Sequence, residues 1–187
     1  SVAIEWIICI FMILAGVNFS LYFFLLTGRA REFFKNTELK AYFGILFTSI
    51  LIITIFLVPQ TNNIKEAFRL AAFQTATIMS TTGFATADYE LWLPAAQLVL
   101  FFLMFVGGSS GSTSGGVKVI RWVILGKQMH NEAKQMLHPH GVFSIRLNGE
   151  VGRKEVIYNV SAFFFLYFML LVFTTFVVAG SGVDILT

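Results

Sequence analysis

Between Ala41 and Val58 the chain carries no charged side chain, and between Ile157 and Ala179 it again carries none. At 1.5 Å per helical residue these stretches reach about 27 and 34 Å, enough to cross the hydrocarbon core of a bilayer. At that depth only helices and closed barrels satisfy their own backbone. A third stretch, Ala3 to Leu26, is as long and carries a single charge, Glu5. Three such runs predict transmembrane helices, and composition agrees. The chain is 57% hydrophobic and 12% charged, with twenty-two phenylalanines, where a soluble domain carries about 25% charge. Cys9, the single cysteine, lies inside an apolar run, so neither a disulfide framework nor a cysteine metal site is expected. The basic residues fall in loops between spans, which argues against nucleic-acid binding.

Two shorter segments are more informative. Glu66 to Met79 reads as a helix, with Asn62 or Asn63 as its cap and Glu66 in the first turn, where a carboxylate favours the dipole. Fourteen residues give about 21 Å, too short to cross. The residues after it, Ser80 to Thr86, are small or β-branched around Gly83 and do not continue a helix. Pro59 is expected to end the span before it. Trp92 and Pro94 read as an interfacial anchor and a helix start. The next apolar run, Ala95 to Val106, reaches only about 18 Å. It meets Gly107-Gly108-Ser109-Ser110-Gly111-Ser112-Thr113-Ser114-Gly115-Gly116, and apolar sequence resumes from Val117 to Gly126. Irregular backbone at that depth must be buried in protein or line a water-filled cavity.

The expected organisation is an all-α integral membrane protein built on a span, pore-loop, span repeat of the potassium-channel type, with one helix broken by an intramembrane Gly/Ser loop. Residues 1–27 form a span that ends a preceding repeat, and 28–40 a cytoplasmic connector. Residues 41–126 form a complete repeat of span, pore helix, filter strand and broken span. Residues 127–156 form a second cytoplasmic connector with a hairpin at Asn148-Gly149, and 157–187 the first span of the next repeat. A weak similarity of pattern between 41–68 and 159–187 supports this, with Asp184 to Thr187 starting another helix. The start at Ser1 shows no basic leader or cleavage site, and the chain reads as an internal fragment of a longer one.

A short helix followed by Thr81-Thr82-Gly83-Phe84 is a physical recipe for a cation filter. The helix turns its partially negative end toward the membrane centre. An extended segment then aims carbonyls at one axis, where a ring of them can replace the hydration shell of K⁺. Gly83 supplies the backbone freedom. Asp88 and Glu90 would concentrate cations in an outer vestibule, or belong to an ordinary solvated loop.

Thr81 to Phe84 resemble a relaxed potassium-channel filter pattern, with Ala85 where that pattern ends in glycine. The wider stretches MSTTGFATADYELWLP and FVGGSSGSTSGGVKVIR resemble the third repeat of the TrkH/KtrB family of potassium-uptake membrane subunits. The resemblance implies four such repeats around one ion path, each giving a filter strand, of which this chain would hold one. It implies that Gly107 to Gly116 is the loop that gates the pore, and that K⁺ is the transported ion with no cofactor in the chain. It also implies a bacterial cytoplasmic (inner) membrane location in a lipid bilayer, a homodimer, and a cytoplasmic nucleotide-binding TrkA-like partner. An ion-coupled symporter using the same site is the alternative; an enzyme finds no catalytic cluster. A phosphate-binding reading of the Gly/Ser run lacks the Gly-Lys-Ser/Thr ending. His130, His138 and His140 read as solvated loop histidines rather than a metal site.

Charge placement predicts orientation. Arg29, Arg31, Lys35 and Lys40 lie in one connector, and Lys118, Arg121, Lys127, Lys134, Arg146, Arg153 and Lys154 in the other. Both connectors are therefore expected in the cytoplasm, with the pore loop entering from outside. In a Cys9-free background of the full-length protein, a cysteine at Gln135 should resist a membrane-impermeant thiol reagent from outside, and one at Tyr89 should react.

Overall fold

A computed structural model describes residues 1–138, 141, 144–152 and 154–180. The chain divides into two compact units, Ser1–Val123 and Ile124–Thr187.

In the first unit, α1 (Val2–Ala15) and α2 (Phe19–Leu26) precede a short α3 (Ala30–Lys35). The long α4 (Thr37–Thr61), α5 (Ile64–Ser80) and α6 (Pro94–Met104) follow. α5 packs against α4, α1 and α6. Its buried face is dominated by small residues, Ala67, Ala71, Ala72 and Ala76, which let neighbouring helices come close. α4 buries a stripe at helical spacing, Tyr42, Leu46, Ile50, Ile53 and Leu57, each 3% exposed or less.

Several boundaries differ from the sequence expectation. The first span is not straight. α1 and α2 meet at a 96° bend across Gly16, Val17 and Asn18. Asn18 caps α2 by accepting from Ser20 N at 2.8 Å. Tyr42 donates its hydroxyl to Ile13 O at 2.9 Å and leaves Gly16 no room for a side chain. Pro59 does not end the second span. It lies inside the last turns of α4, which closes at Asn62 in the left-handed region (φ 51°). Asn63 is the residue that caps α5, accepting from Lys65 N at 3.0 Å. α5 is longer than expected at both ends and takes in Ser80, yet it does not join the helices long and apolar enough to cross.

α6 begins with Pro94 as its first residue, as expected. α7 (Val119–Leu137) starts two residues after the expected resumption at Val117 and runs eleven residues past Gly126, so much of the second connector is helical. In the second unit, β1 (Arg146–Leu147) and β2 (Glu150–Val151) pair antiparallel around Asn148 and Gly149. Both turn residues have positive φ, as a two-residue hairpin turn requires. α8 (Lys154–Gly180) follows. The helix start expected at Asp184 lies outside the described residues, as does His140. Among those described, Thr37–Thr61 and Glu155–Gly180 are each long and apolar enough to cross a membrane, and the bent α1–α2 pair passes the same test together. Many apolar side chains on these helices are exposed, Phe47, Ile55, Phe165 and Phe173 among them.

A Cβ on Gly16 would stand 2.3 Å from Tyr42 Oη. Gly16→Ala should therefore destabilise the fold by about 1–3 kcal/mol, the usual cost of overpacking. Gly44→Ala, in the middle of α4 with open space around it, should be neutral or stabilising. Thermal unfolding in detergent compares the two.

Candidate functional site

The site begins where α5 stops. Thr82 N donates to Thr77 O at 3.0 Å and Thr81 N to Ile78 O at 3.1 Å, the crossed pair that closes a helix by a Schellman turn. That turn needs a left-handed residue, and Thr81 supplies it at φ 54°, ψ 34°. A β-branched residue is strained in that region. Its side chain is used in return: Thr81 Oγ1 donates to Ser80 O and accepts from Gly115 N, both at 2.8 Å. The end of α5 is thereby joined to the Gly/Ser segment. Ser80 Oγ and Thr82 Oγ1 share a further hydrogen bond of 2.6 Å.

From Thr81 to Thr86 the chain is non-helical and exposed. Gly83 has φ +81°, and no atom lies within 4 Å of the position a Cβ would take. Glycine is needed there for the backbone angle, not for space. Between this segment and α5 lies a recess of about 420 Å³, whose lining includes Gln74, Thr77, Thr81, Gly83, Phe84 and Tyr89. Gln74 and Thr77 are each 3% exposed, and their side-chain oxygens have no hydrogen-bond partner among the described residues.

Asp88 and Glu90 are both exposed. Asp88 caps the short turn Tyr89–Leu91 by accepting from Glu90 N at 3.0 Å, so one of its oxygens has a structural use. Sequence reading missed Gln97, which pins this loop to α6. Its amide donates to the carbonyls of Tyr89, Glu90 and Trp92 at 3.3, 2.6 and 3.1 Å. The available signal was a lone amide inside an apolar run.

The Gly/Ser segment is irregular, as expected, and tightly paired. Gly107 N donates to Val117 O at 2.7 Å and Val119 N to Gly108 O at 3.1 Å, which brings the two ends of the loop together. Its middle docks on the bend between α1 and α2. Ser109 N donates to Gly16 O at 2.8 Å, Thr113 N to Ala15 O at 3.4 Å, and Phe19 N to Gly111 O at 3.2 Å. Lys118 Nζ donates to the carbonyls of Ser114 and Ser112 at 2.7 and 3.3 Å. Glu38, which sequence reading passed over as a connector charge, is 6% exposed. It accepts from Ser110 N at 2.5 Å and Ile120 N at 3.3 Å. Among the described residues no group of three His, Cys, Asp or Glu could hold a metal ion.

The loop's first glycine is fixed by backbone. A Cβ on Gly107 would fall 2.1 Å from Gly115 O. Gly107→Ala should displace the segment at the upper end of the roughly 1–3 kcal/mol typical of overpacking, or beyond it. Ser110→Ala, which keeps the backbone N–H that Glu38 uses, should cost less than about 0.5 kcal/mol. Thermal unfolding of the two variants tests the contrast.

Residues 1–187 match the TrkH family, described as a cation transport protein, over their whole length. The chain is 33% identical over 189 residues to the Trk system potassium uptake protein TrkH of Escherichia coli K12, covering 98% of this chain and 39% of that protein. It is 31% identical over 180 residues to TrkG of the same strain, covering 95% of this chain and 37% of TrkG. Its fold matches the crystal structure of the potassium transporter TrkH from Vibrio parahaemolyticus with a TM-score of 0.91 at 32% identity, over 98% of this chain and 40% of that one. The chain thus spans about two-fifths of the length of these relatives.

Proposed function

Because the chain belongs to the TrkH family of cation transport proteins, we propose that it forms one repeat of a pore that takes up potassium across the bacterial cytoplasmic membrane. The observation that carries this reading is the end of α5. A helix closed by a Schellman turn is followed at once by an exposed, non-helical segment with Gly83 at φ +81°. Such a segment can turn the carbonyls of Thr81, Thr82, Gly83 and Phe84 toward an axis shared with other strands, and a ring of carbonyls can stand in for the hydration shell of K⁺. The relatives' names supply the ion, since they are potassium uptake proteins.

In this reading Gly107 to Gly116 is the gate. Its tether to Thr81 through Gly115 N supports this, and its glycines allow it to rearrange. The path is completed by strands outside these residues, in a protein that lies in the lipid bilayer as a homodimer. A TrkA-like nucleotide-binding subunit docks on its basic cytoplasmic face. Transport needs no bound cofactor and no enzymatic step. Asp88 and Glu90 stand at the outer mouth. Passage down the electrochemical gradient is favoured over coupled symport by the charges near the site. No Asp or Glu is among the described residues that line the recess beside Gly83, and Glu5 of α1 is ion-paired with Arg69 of α5.

Selectivity and gating should separate by mutation in the full-length protein reconstituted in liposomes. Gly83→Ser should lower K⁺ preference over Na⁺ while the protein still folds and conducts. Deleting Ser109 to Ser112 should raise flux and leave the preference intact. Unchanged preference in Gly83→Ser removes the filter assignment; unchanged flux in a well-folded deletion variant removes the gate.

A further inference from the structure

We propose that Glu38 is the positioning residue that latches the Gly/Ser loop, by bonding one amide inside the loop and one just past it from the start of α4. The helix it sits on does not need it. Asn36 already caps α4, accepting from Leu39 N at 3.0 Å. The Glu38 side chain instead turns into the protein, and at 6% exposed it is the one buried charged residue among those described.

A carboxylate taken out of water is costly unless its oxygens are paired. The partners of Glu38 come from the loop and its exit. Ser110 N lies 2.5 Å from Oε1, and Ile120 N, in the first turn of α7, lies 3.3 Å from the same atom. Amides in a first helical turn have no partner within the helix, and the helix dipole favours a negative charge there. The two donors enclose Gly111 to Val119. Lys118, inside that interval, adds a positive charge while its Nζ holds the carbonyls of Ser112 and Ser114. Moving the loop away breaks the bond from Ser110 N and leaves the buried carboxylate with the Ile120 amide alone. This stabilises the loop's present position more than neutral backbone contacts alone, since hydrogen bonds to a charged group are about twice as strong.

Opening of the gate, if the loop is one, then passes through release of Glu38, and the proposal rests on the gating reading only for that consequence. The latch itself has a readout that does not involve transport. Ser109 is fully buried in the loop, so a cysteine there should react with a thiol reagent only when the loop lifts. In full-length protein carrying Cys9→Ser and Ser109→Cys, Glu38→Ala should raise the labelling rate about tenfold or more, as the loop's hydrogen bond to a charged group is lost. Glu38→Gln, which keeps the shape and the acceptor without the charge, should fall between. Ala76→Cys, buried in α5, should stay unreactive in the same backgrounds. Wild-type labelling in both Glu38 variants overturns the latch, as does an equal rise at Ala76→Cys, which would mean general loosening. If Glu38→Ala does not fold, the Gln variant decides alone. Potassium flux measured alongside separates the two ideas. Faster labelling with higher flux supports both, whereas faster labelling with unchanged flux upholds the latch and removes the gate.

Discussion

A helix that breaks among apolar neighbours exposes amides and carbonyls that neither lipid nor a hydrophobic core can satisfy. The first unit contains two such breaks, at Gly16 to Asn18 and at Gly107 to Gly116, and each supplies partners for the other. The carbonyls of Ala15 and Gly16, left over at the end of α1, accept from Thr113 and Ser109. The Phe19 amide, left over at the start of α2, donates to Gly111. Each break thus offsets part of the cost of the other, which ties the geometry of residues 1–26 to a loop nearly a hundred positions later. Gly16 has a second obligation, because Tyr42 of α4 packs on its Cα and bonds Ile13.

The same loop also reaches the strand after α5. Thr81 accepts a left-handed conformation that glycine would adopt freely, and its hydroxyl then meets Gly115 N. A glycine at 81 would relieve the backbone and lose that bond. Strain held in this way is found where surrounding structure over-determines a residue. It places the two segments proposed as filter and gate in direct contact, so a shift in one changes the environment of the other.

Much of this was legible in the sequence wherever one residue's physics dominates. Two uncharged runs of membrane-spanning length became α4 and α8. Pro94 opened α6, Asn148-Gly149 turned a hairpin, and a ten-residue Gly/Ser run broke a helix. What was not legible depended on partners distant in sequence. Gly16 to Asn18 sits inside a long, mainly apolar stretch, and its local signals, Gly16 and the cap residue Asn18, do not by themselves fix a 96° bend. The bend is stable because a distant loop pairs its backbone. Pro59 misled for a related reason. Proline forfeits one amide bond in a helix interior, but so close to the end of α4 the helix continues to Thr61 before Asn62 closes it. Glu38 looked like one more charge in a basic connector, and its burial follows only from where the loop lies.

A loop held this way has a particular energetic character. The loop is held by discrete hydrogen bonds, to Gly16, Ala15, Phe19, Thr81, Lys118 and Glu38, more than by a sheet of apolar contact. Its side chains are small, so lifting it uncovers little hydrophobic surface, the term that grows with area. A bond between backbone groups exchanged for one to water changes stability by only about 1 kcal/mol. Facing lipid, those groups would find no replacement and the loop would be locked. Facing a water-filled path, each can trade its protein partner for water as it moves. The composition that makes the segment a poor helix therefore also makes its movement inexpensive, provided that it borders an aqueous cavity. Glu38 and Lys118 then matter beyond their number, since charge-assisted bonds are the ones that water replaces at the greatest cost.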